Sequence, residues 1–404
     1  MISKSGNWKA KTAIFLTSQM FSLFGSSVVA YAVIWYITLE TASSWMMAVS
    51  ILCSFVPQII ISLFAGVWAD RYNRKMIIIL ADLFTAVSTL VLAVLFLSGF
   101  RSLAMIFFIT ALRSLGSGVQ APAVSAILPQ IVPMDKLTKV NGLNNALFSA
   151  LQLLSPAVGG LLLATVGFGA AMFVDVGSAL IAVCIMLFLR VSLPERDNKE
   201  QSALRQLADG VRYTKTHPLL RRLLVLFAVY FFMITPAAFL TPVMIARSFG
   251  EEVWRLSANE MVWTAGSLLG GVIISVWGGF KNKLATFMLS CAGFGVTFAL
   301  LGIARNFYLY LFIMFVSGIF MPIASTVETV LIQETVEEEM LGRVFSIVQI
   351  TVTASMPLGM LLFGPLGDMV PIEWLLIASG CVLVVLSPFA LLCDPERRAK
   401  HSPN

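Results

Sequence analysis

The chain has 404 residues, of which 58% are hydrophobic and only 12% are charged. Soluble domains carry about 25% charged residues, so a chain this apolar could not cover its own surface in water. The net charge of +6 does not indicate nucleic-acid binding, because the basic residues are spread over short loops and form no basic stripe. The five cysteines lie in apolar stretches without metal-ligand spacing, so we expect neither a disulfide framework nor a metal site.

Twelve stretches are long enough to cross a bilayer as apolar helices, which takes about 20 residues each. They are 13–39, 44–68, 76–97, 103–125, 138–165, 168–190, 219–246, 256–280, 284–304, 307–332, 341–367 and 371–393. The first follows Lys4, Lys9 and Lys11 but is too long for a signal peptide, so we interpret it as a retained helix. Long alternating strands are absent from the sequence, and helices are the other structure that satisfies its backbone in lipid. The sequence therefore predicts an all-α membrane protein with twelve transmembrane helices.

Basic residues are distributed unequally between the two sets of loops. With the N-terminus inside, 22 of the 27 Lys and Arg residues lie in cytoplasmic segments and 4 in external loops, while Arg113 lies within a helix. Cytoplasmic loops carry an excess of Lys and Arg. We therefore predict a multi-pass protein of the inner (cytoplasmic) cell membrane with both termini in the cytoplasm, which requires an even number of helices.

A polar stretch at about 191–218 separates two groups of six predicted helices. We expect an N-terminal six-helix half at 1–195, a cytoplasmic linker at 196–217, and a C-terminal six-helix half with a short tail at 218–404. One helical face of the linker carries Leu204, Leu207, Ala208 and Val211. This pattern fits an amphipathic helix on the membrane surface, and it fits a soluble linker helix equally well.

The two halves repeat each other in sequence. Four residues of the fourth predicted helix recur in the tenth at an offset of 200 positions: Ser117, Gly118, Pro122 and Ser125 match Ser317, Gly318, Pro322 and Ser325. Two six-helix halves related by a parallel repeat are the architecture of a large class of secondary transporters, which bind substrate between the halves. We therefore expect two pseudo-symmetric halves.

A charged turn follows the second predicted helix. Gly66 precedes Asp70 by four residues, and Arg71, Arg74 and Lys75 follow. A stop-transfer cluster would explain the basic residues, but an acidic residue adds nothing to the positive-inside rule. The stretch resembles the signature loop of the major facilitator superfamily, Gly-x-x-x-Asp-Arg/Lys-x-Gly-Arg-Arg/Lys, and the resemblance implies the fold of that superfamily.

The resemblance also implies that this turn is a conformational switch. It implies that Asp70 docks on the N-terminal end of the eleventh helix, near Gly342 and Arg343. An anion at a helix N-terminus contributes about 0.3–1 kcal/mol, which biases a two-state equilibrium without locking it. Asn73 stands where the superfamily has a second glycine. Because Asn tolerates left-handed backbone geometry, we expect the turn to survive.

An arginine lies almost at the centre of the fourth predicted helix. A charge at the bilayer centre costs about 2.5–3.5 kcal/mol, so Arg113 needs a partner or a water-filled cavity. Arg113, Gly116 and Gly118 resemble a helix-four pattern of the superfamily that is associated with proton coupling. A structural arginine that binds backbone carbonyls of the first helix is an equally good interpretation.

The fifth predicted helix contains Ser155-Pro156, followed by Gly159 and Gly160, and Pro357 takes the corresponding place in the eleventh. Proline kinks a helix because it lacks a backbone donor, and a glycine pair lets a neighbouring helix pack closely. The stretch resembles the exporter-type motif Gly-Pro-x-x-Gly-Gly, with Ser155 in place of the first glycine. The resemblance favours export over import.

We count three acidic residues within the predicted spans: Asp82, Asp175 and Glu328. Ionisable residues in a span are functional candidates by default. The resemblance places the third and sixth helices at the periphery, which favours a structural role for Asp82 and Asp175 over proton coupling or substrate contact. Glu328 lies toward the cytoplasmic end of the tenth helix, where an inward-open cavity would wet it. Glu328 could serve in proton coupling or substrate binding, or it could simply be a solvated residue at a helix end. The sequence favours neither interpretation.

Short strings extend the resemblance over nearly the whole chain, to the macrolide-efflux branch of the superfamily, which is of the drug:proton antiporter type. They are Ala81-Asp82-Leu83, Arg113-Ser114-Leu115-Gly116, Ser155-Pro156-Ala157-Val158 and Leu341-Gly342-Arg343-Val344-Phe345-Ser346. The resemblance implies a proton-coupled exporter of amphipathic drugs or small metabolites that works by alternating access. Glu328 departs from that branch, which leaves the substrate open.

The sequence contains neither a catalytic constellation nor a phosphate-binding Gly-x-x-x-x-Gly-Lys-Ser/Thr, so we expect no enzyme, no cofactor and no ATP-driven transport. The expected partners are a small-molecule substrate, protons and the lipid bilayer, with no nucleic acid, and we expect a monomer. Two other functions remain open. One is a dedicated exporter of a natural cargo such as a siderophore or a lysophospholipid. The other is a non-transporting membrane sensor, which the lack of an appended soluble domain in this sequence disfavours.

Overall fold

The computed structural model describes residues 8–191, 203–337 and 340–392, and most of them are helical. The helices are α1 (Trp8–Thr41), α2 (Ser44–Arg71), α3 (Arg74–Leu97), α4 (Leu103–Ile131), α5 (Leu137–Thr165), α6 (Gly167–Ala171), α7 (Phe173–Leu187), α8 (Ala203–Thr216), α9 (Pro218–Thr235), α10 (Thr241–Ser248), α11 (Val253–Trp277), α12 (Lys283–Ile303), α13 (Phe307–Thr335), α14 (Leu341–Met369) and α15 (Ile372–Leu392). A short 3₁₀ segment, Met134–Lys136, precedes α5, and a π-helical segment, Pro236–Leu240, joins α9 to α10.

Within the described part of the chain, eleven helical segments are long and apolar enough to cross a membrane. The helix α15 carries a shorter apolar stretch, Ile372–Pro388. The predicted all-α, multi-pass membrane protein is therefore confirmed, while the count of twelve spans stays a prediction.

Two predicted spans are built from more than one helix. The span predicted at 168–190 consists of α6 and α7, and Gly167 allows the chain to turn into α6 because its φ is +78°. The span predicted at 219–246 consists of α9, the π segment and α10. Pro236 begins that segment, and the missing amide of proline accounts for the local change in helix type.

The chain forms two compact units. Unit 1 contains α1, α2 from Val49 onward, α3 to α7, and the segment Glu252–Ser257. Unit 2 contains the segment Ala42–Ala48, the helices α8 to α10, α11 from Ala258 onward, and α12 to α15. The first turn of α2 therefore belongs to unit 2, whereas the rest of α2 belongs to unit 1. The predicted half boundaries at 195 and 218 stay a prediction.

In unit 1, α1 packs against α5 and α7, and α3 packs against α4 and α7. One end of the unit holds an apolar cluster that includes Phe15, Ile78, Ile127 and Met186. Near the middle of α1 the backbone of α7 comes close, because a Cβ on Gly25 would stand 2.8 Å from the Cα of Asp175. This approach brings the polar side chains of α1 and α7 within reach of each other.

In unit 2, α12 packs against α13 and α15, and α14 packs against α9 and α8. The buried ring of Tyr230 contacts the rings of Phe287 and Phe294, with ring centroids 5.1 Å and 5.9 Å away. Gly295 and Gly380 allow α12 and α15 to cross closely, since a Cβ on Gly295 would stand 2.5 Å from the carbonyl oxygen of Gly380.

The linker predicted at 196–217 contains the helix α8, and its residues 196–202 lie outside the described part of the chain. The helix lies on the first turns of α14, where a Cβ on Gly210 would stand 2.9 Å from the carbonyl oxygen of Arg343. Asp209 of α8 lies 3.8 Å from a guanidinium nitrogen of Arg343. The linker helix therefore belongs to unit 2 and packs against α14 along part of its length.

Candidate functional site

A buried ion pair occupies the interior of unit 1. The Arg113 guanidinium on α4 contacts the Asp175 carboxylate on α7, and the Asp175 side chain is only 1% exposed. The Asp175 carboxylate also accepts hydrogen bonds from the hydroxyls of Thr89, at 2.7 Å, and Ser26, at 3.0 Å. Arg113 further contacts the Thr89 hydroxyl and lies 3.5 Å from the carbonyl oxygen of Ser26. We call Ser26, Thr89, Arg113 and Asp175 the Arg113 cluster.

A second polar group, the Asp82 cluster, consists of Ser22, Asp82 and Gln120. Asp82 is 4% exposed, and its Oδ1 accepts hydrogen bonds from the Ser22 hydroxyl at 2.6 Å and from the Gln120 amide at 2.8 Å. Its Oδ2 is buried without a hydrogen-bond partner among the described residues, and the same holds for the amide nitrogen of Gln19, one turn before Ser22 on α1. No Lys or Arg of the described residues forms an ion pair with Asp82. The Asp82 carboxylate is therefore held by neutral donors alone.

The spacing of these residues in sequence explains why two separate clusters form. Asp82 and Thr89 are seven residues apart on α3, Arg113 and Gln120 are seven residues apart on α4, and Ser22 and Ser26 are four apart on α1. Seven residues are two helical turns and four are about one turn, so both members of each pair point from the same face, about 10 Å apart along the axis on α3 and α4 and about 6 Å apart on α1. The chain thereby places an ion pair at one level of unit 1 and an uncompensated carboxylate at another.

The structure pairs two site residues that the sequence treats separately, Arg113 and Asp175. Arg113 contacts Asp175 and also lies 3.5 Å from the Ser26 carbonyl oxygen on α1. The second contact fits the interpretation as a structural arginine, while a role in proton coupling stays a prediction. Asp82 and Asp175 point into the interior of unit 1 rather than toward its surface. Sequence reasoning could not pair Arg113 with Asp175, because 62 residues separate them.

Glu328 lies on α13 in unit 2 and is 8% exposed. Within the described part of the chain no hydrogen bond or ion pair reaches its carboxylate. It is close enough to the Tyr230 hydroxyl to interact electrostatically, and that hydroxyl is also buried without a hydrogen-bond partner among the described residues. Glu328 is therefore buried in this structure rather than solvated, and it lies seven residues before the end of α13 at Thr335, while its role stays a prediction.

Our count of three acidic residues within the predicted spans was wrong, because it omitted Glu373 on α15 and Glu260 on α11. Glu260 lies inside a candidate membrane span. Its Oε1 accepts a hydrogen bond of 3.1 Å from the Asn259 amide, and the Asn259 oxygen accepts one of 3.2 Å from the Tyr310 hydroxyl. Asn259 and Tyr310 are buried, while Glu260 is partly exposed. The tyrosine fixes the orientation of the amide, and the amide orients the carboxylate. The sequence signal was an acidic residue inside the span predicted at 256–280.

The turn between α2 and α3 is organised by side-chain contacts. Arg74 donates to the carbonyl oxygens of Ala69 and Ala126, both at 2.9 Å, and the Lys75 ammonium donates to the carbonyl of Leu187 at 2.8 Å. These contacts hold the beginning of α3 against the end of α2 and against α4 and α7. The side chain of Asp70 lies outside the described residues, so its docking near Gly342 and Arg343 stays a prediction. Arg343 itself contacts the Met340 sulfur at 3.3 Å.

The turn between α2 and α3 is formed, but Asn73 does not adopt left-handed geometry in it. Its φ is −66° and its ψ is 107°, and its side chain accepts a hydrogen bond from the Lys75 amide at 3.1 Å. Asn73 thus caps the N-terminus of α3, a position for which Asn is among the preferred residues. Three switch residues remain. A Cβ built on Gly66 or Gly342 would meet no other atom within 4 Å, and Arg71 is exposed.

The glycine pair of α5, Gly159 and Gly160, lies at contacts with other segments of unit 1. A Cβ on Gly159 would stand 3.2 Å from the carbonyl of Val28 on α1, and Gly160 faces the Ser257 side chain. Ser155 and Pro156 are buried in the same helix, and Pro357 is buried in α14. The Ser155 hydroxyl is without a hydrogen-bond partner among the described residues.

A sequence model of the transmembrane secretion effector family matches residues 9–400 of the chain. Macrolide efflux protein A of Streptococcus pyogenes is 28% identical over 398 residues, which cover 97% of each chain. The enterobactin exporter EntS of Shigella boydii serotype 18 is 25% identical over 397 residues, covering 97% of this chain and 93% of that one. The solved structure of the nucleoside transporter NupG superposes with a TM-score of 0.71 at 16% identity, covering 96% of this chain and 98% of that one.

Proposed function

Because the chain belongs to the transmembrane secretion effector family, in the macrolide-efflux-like branch of the major facilitator superfamily, we propose that it is a proton-coupled exporter of amphipathic drugs or small metabolites. The members of this family are transporters and not enzymes, as the sequence predicted. We further propose the cell membrane as its location, twelve spans in two pseudo-symmetric six-helix halves, cytoplasmic termini, and alternating access by the monomer.

The observation that carries the proton coupling is the contrast between the two clusters of unit 1. Arg113 and Asp175 neutralise each other, so that pair can stay ionised in a dry interior. Asp82 is equally buried but has only neutral donors around one of its two oxygens. An ionised carboxylate in such a place is costly unless something compensates its charge. A proton on Asp82 supplies that compensation, and its loss requires a conformation that admits water.

In this proposal the two clusters have different tasks. Asp82 takes up and releases the proton, and the Arg113 cluster positions α1, α3, α4 and α7 around it. Ser22 and Gln120 stabilise the ionised form when water reaches the site. Glu328 and Glu260 are the candidates for contact with a cationic substrate, since each is a carboxylate without an ion-pair partner in the described part of unit 2.

A dedicated exporter of one natural cargo is the second candidate function. One relative is an enterobactin exporter, and it matches this chain over nearly the same length as the macrolide efflux protein. The two candidates differ in selectivity, because a dedicated exporter would discriminate strongly among unrelated compounds. A panel of macrolides, cationic dyes and iron chelators tested for export separates them.

Transport by the purified protein in lipid vesicles tests the proposal. We expect an imposed pH gradient to drive macrolide accumulation and an uncoupler to abolish it. In Asp82→Asn we expect gradient-driven accumulation to disappear while exchange of substrate across the membrane continues. The matched control is Asp135→Asn, which alters a carboxylate that is 69% exposed between α4 and α5. If neither the pH gradient nor the uncoupler changes transport by the wild-type protein, proton coupling is refuted.

A further inference from the structure

The connection between α1 and α2 forms a cluster of contacts with other segments of unit 2. The helix α1 ends at Thr41, and Ala42 turns the chain with a positive φ of 46°. The helix α2 then begins at Ser44, and the segment Ala42–Ala48 belongs to unit 2 although α2 continues into unit 1. This short segment is therefore the part of α2 whose contacts lie within unit 2.

Asp368, at the C-terminal end of α14, holds the beginning of α2. Its carboxylate accepts hydrogen bonds from the Ser43 hydroxyl at 2.7 Å and from the backbone amides of Ser44 at 2.7 Å and Trp45 at 3.0 Å. The first amides of a helix have no partner within the helix, and a negative charge is favoured there. The Ser43 hydroxyl itself accepts from the Met46 amide at 3.3 Å, and Asp368 adds, from a distant helix, the acceptors for the two preceding amides of α2.

Arg247, in the last turn of α10, connects both sides of this contact. Its guanidinium forms an ion pair with Asp368 at 2.6 Å and donates to the carbonyl oxygens of Gly367 at 2.6 Å and Ala42 at 2.8 Å. One arginine therefore binds the end of α14 and the turn before α2 at the same time. We call Ala42, Ser43, Ser44, Arg247 and Asp368 the Asp368 latch.

Close approach at the latch depends on glycine. A Cβ on Gly367 would stand 2.7 Å from the Ser44 hydroxyl oxygen, and Gly364 faces the Ala48 side chain just as tightly. The spacing Gly364-x-x-x-Asp368 at the end of α14 equals Gly66-x-x-x-Asp70 at the end of α2. Each of these two helices thus carries an aspartate near its C-terminal end, four residues after a glycine.

The latch is accessible to water, unlike the clusters of unit 1. The side chains of Arg247 and Asp368 are 33% and 31% exposed. Beside them lies a cavity of about 380 Å³ whose lining includes Ser248, Met369, Val370 and Glu373. Water can replace the hydrogen bonds of such half-exposed groups, so the contact can break at modest cost. Every helix end involved lies on the side that the charge distribution predicts to be external.

We propose that the Asp368 latch is a releasable gate contact, which holds the first turn of α2 on unit 2 in one state of the transport cycle and lets it go in another. Asp368 accepts from the first amides of α2, and Arg247 binds both Asp368 and the turn before α2. Holding the latch permanently closed should stop transport, and weakening it should expose the first turn of α2. The transport readout rests on the proposed function, whereas exposure of α2 does not depend on it.

The first experiment measures exposure of Ser44, which is completely buried. Ser44→Cys is introduced into a chain whose five native cysteines are replaced, and a membrane-impermeant maleimide is applied from outside. We expect labelling several-fold faster with Asp368→Asn than without it. The control is Glu373→Gln, whose carboxylate lines the same cavity but accepts from Ser248 and does not contact α2. Equal labelling rates in all three chains would overturn the proposal.

The second experiment replaces the latch by a reversible covalent link and does not rely on the labelling of Ser44→Cys. Ser43→Cys and Asp368→Cys are combined and joined by a short thiol crosslinker that a reductant cleaves. We expect macrolide export to fall to background on crosslinking and to return on reduction, while each single variant is unaffected by the reagent. Export that continues at the uncrosslinked rate in fully crosslinked protein would show that transport does not require this contact to open, which overturns the proposal. A wild type that exports nothing would instead refute the proposed function, and labelling would still test the latch.

Discussion

Arg113 and Asp175 form an ion pair inside unit 1 in which the arginine is 11% and the aspartate 1% exposed. A charge removed from water is stabilised here by an opposite charge and by two hydroxyls, those of Thr89 and Ser26. Removing one partner of such a pair leaves the other charge uncompensated, which is worse than removing both. This asymmetry gives a direct test of the pair.

We predict that Arg113→Ala abolishes uphill transport and lowers stability by about 3–5 kcal/mol, because it leaves the Asp175 carboxylate buried without a counter-charge. In Arg113→Ala combined with Asp175→Ala, we expect most of the stability to return and uphill transport to remain absent. Thermal unfolding in detergent and gradient-driven transport measure these two properties, and a binding assay runs beside them because we expect substrate binding to be affected less than uphill transport. Full uphill transport in Arg113→Ala would show that the arginine is incidental.

Asp70→Asn tests the predicted switch at the other end of α2. Docking of the carboxylate on a helix N-terminus is expected to stabilise one state of the transporter by about 0.3–1 kcal/mol. Its loss should therefore shift the equilibrium between the two states about two- to fivefold. We expect a correctly inserted protein at normal expression that transports more slowly. The measurement is initial transport rate in inverted membrane vesicles, normalised to protein amount. An unchanged rate at normal expression would contradict docking of Asp70.

The spans could be predicted closely because lipid imposes their length and composition. The helix predicted at 284–304 is observed at Lys283–Ile303, and the one predicted at 44–68 begins at Ser44 as expected. The charged candidates could be found for the same reason, since an ionisable residue in an apolar stretch stands out. Hydropathy, however, says nothing about which face of a helix meets which neighbour.

The contacts that define the site therefore escaped the sequence. Arg113 meets Asp175 only because α4 and α7 both pack around α1 and α3, and the Asp82 cluster depends on the same packing. Asn73 shows a different limit, because Asn is suited both to left-handed geometry and to a helix cap. The cap was chosen because α3 begins at the next residue, Arg74. Asp368 was overlooked because an acidic residue at the end of a span resembles an ordinary loop residue.

Glu328→Gln tests a role in the recognition of charged cargo. Removal of water from a carboxylate disfavours its ionised form, so opening and closing around Glu328 would change its protonation and its attraction for cations. We predict that the variant impairs proton-driven export of a cationic compound most, while downhill movement of a neutral compound survives. Parallel efflux assays of one cationic and one neutral substrate at several pH values measure this. Equal retention of both, with unchanged pH dependence, would limit Glu328 to a structural role.

Glu260 allows a sharper version of the same question, because the structure supplies a matched control. Its carboxylate is oriented by Asn259, which is in turn fixed by the Tyr310 hydroxyl. A charged hydrogen bond or ion pair to a substrate contributes about 1.5–3 kcal/mol, which corresponds to roughly 10- to 100-fold in affinity. If Glu260 binds the positive charge of the cargo, Glu260→Gln should weaken binding of a cationic substrate by about that factor and leave a neutral one unchanged. Tyr310→Phe keeps the carboxylate and frees the amide to rotate, so we expect a smaller loss in the same direction. Binding measured by fluorescence quenching in detergent gives both values without requiring transport. A loss of similar size for cationic and neutral substrates in both variants would assign the Tyr310, Asn259 and Glu260 chain to the stability of unit 2 instead.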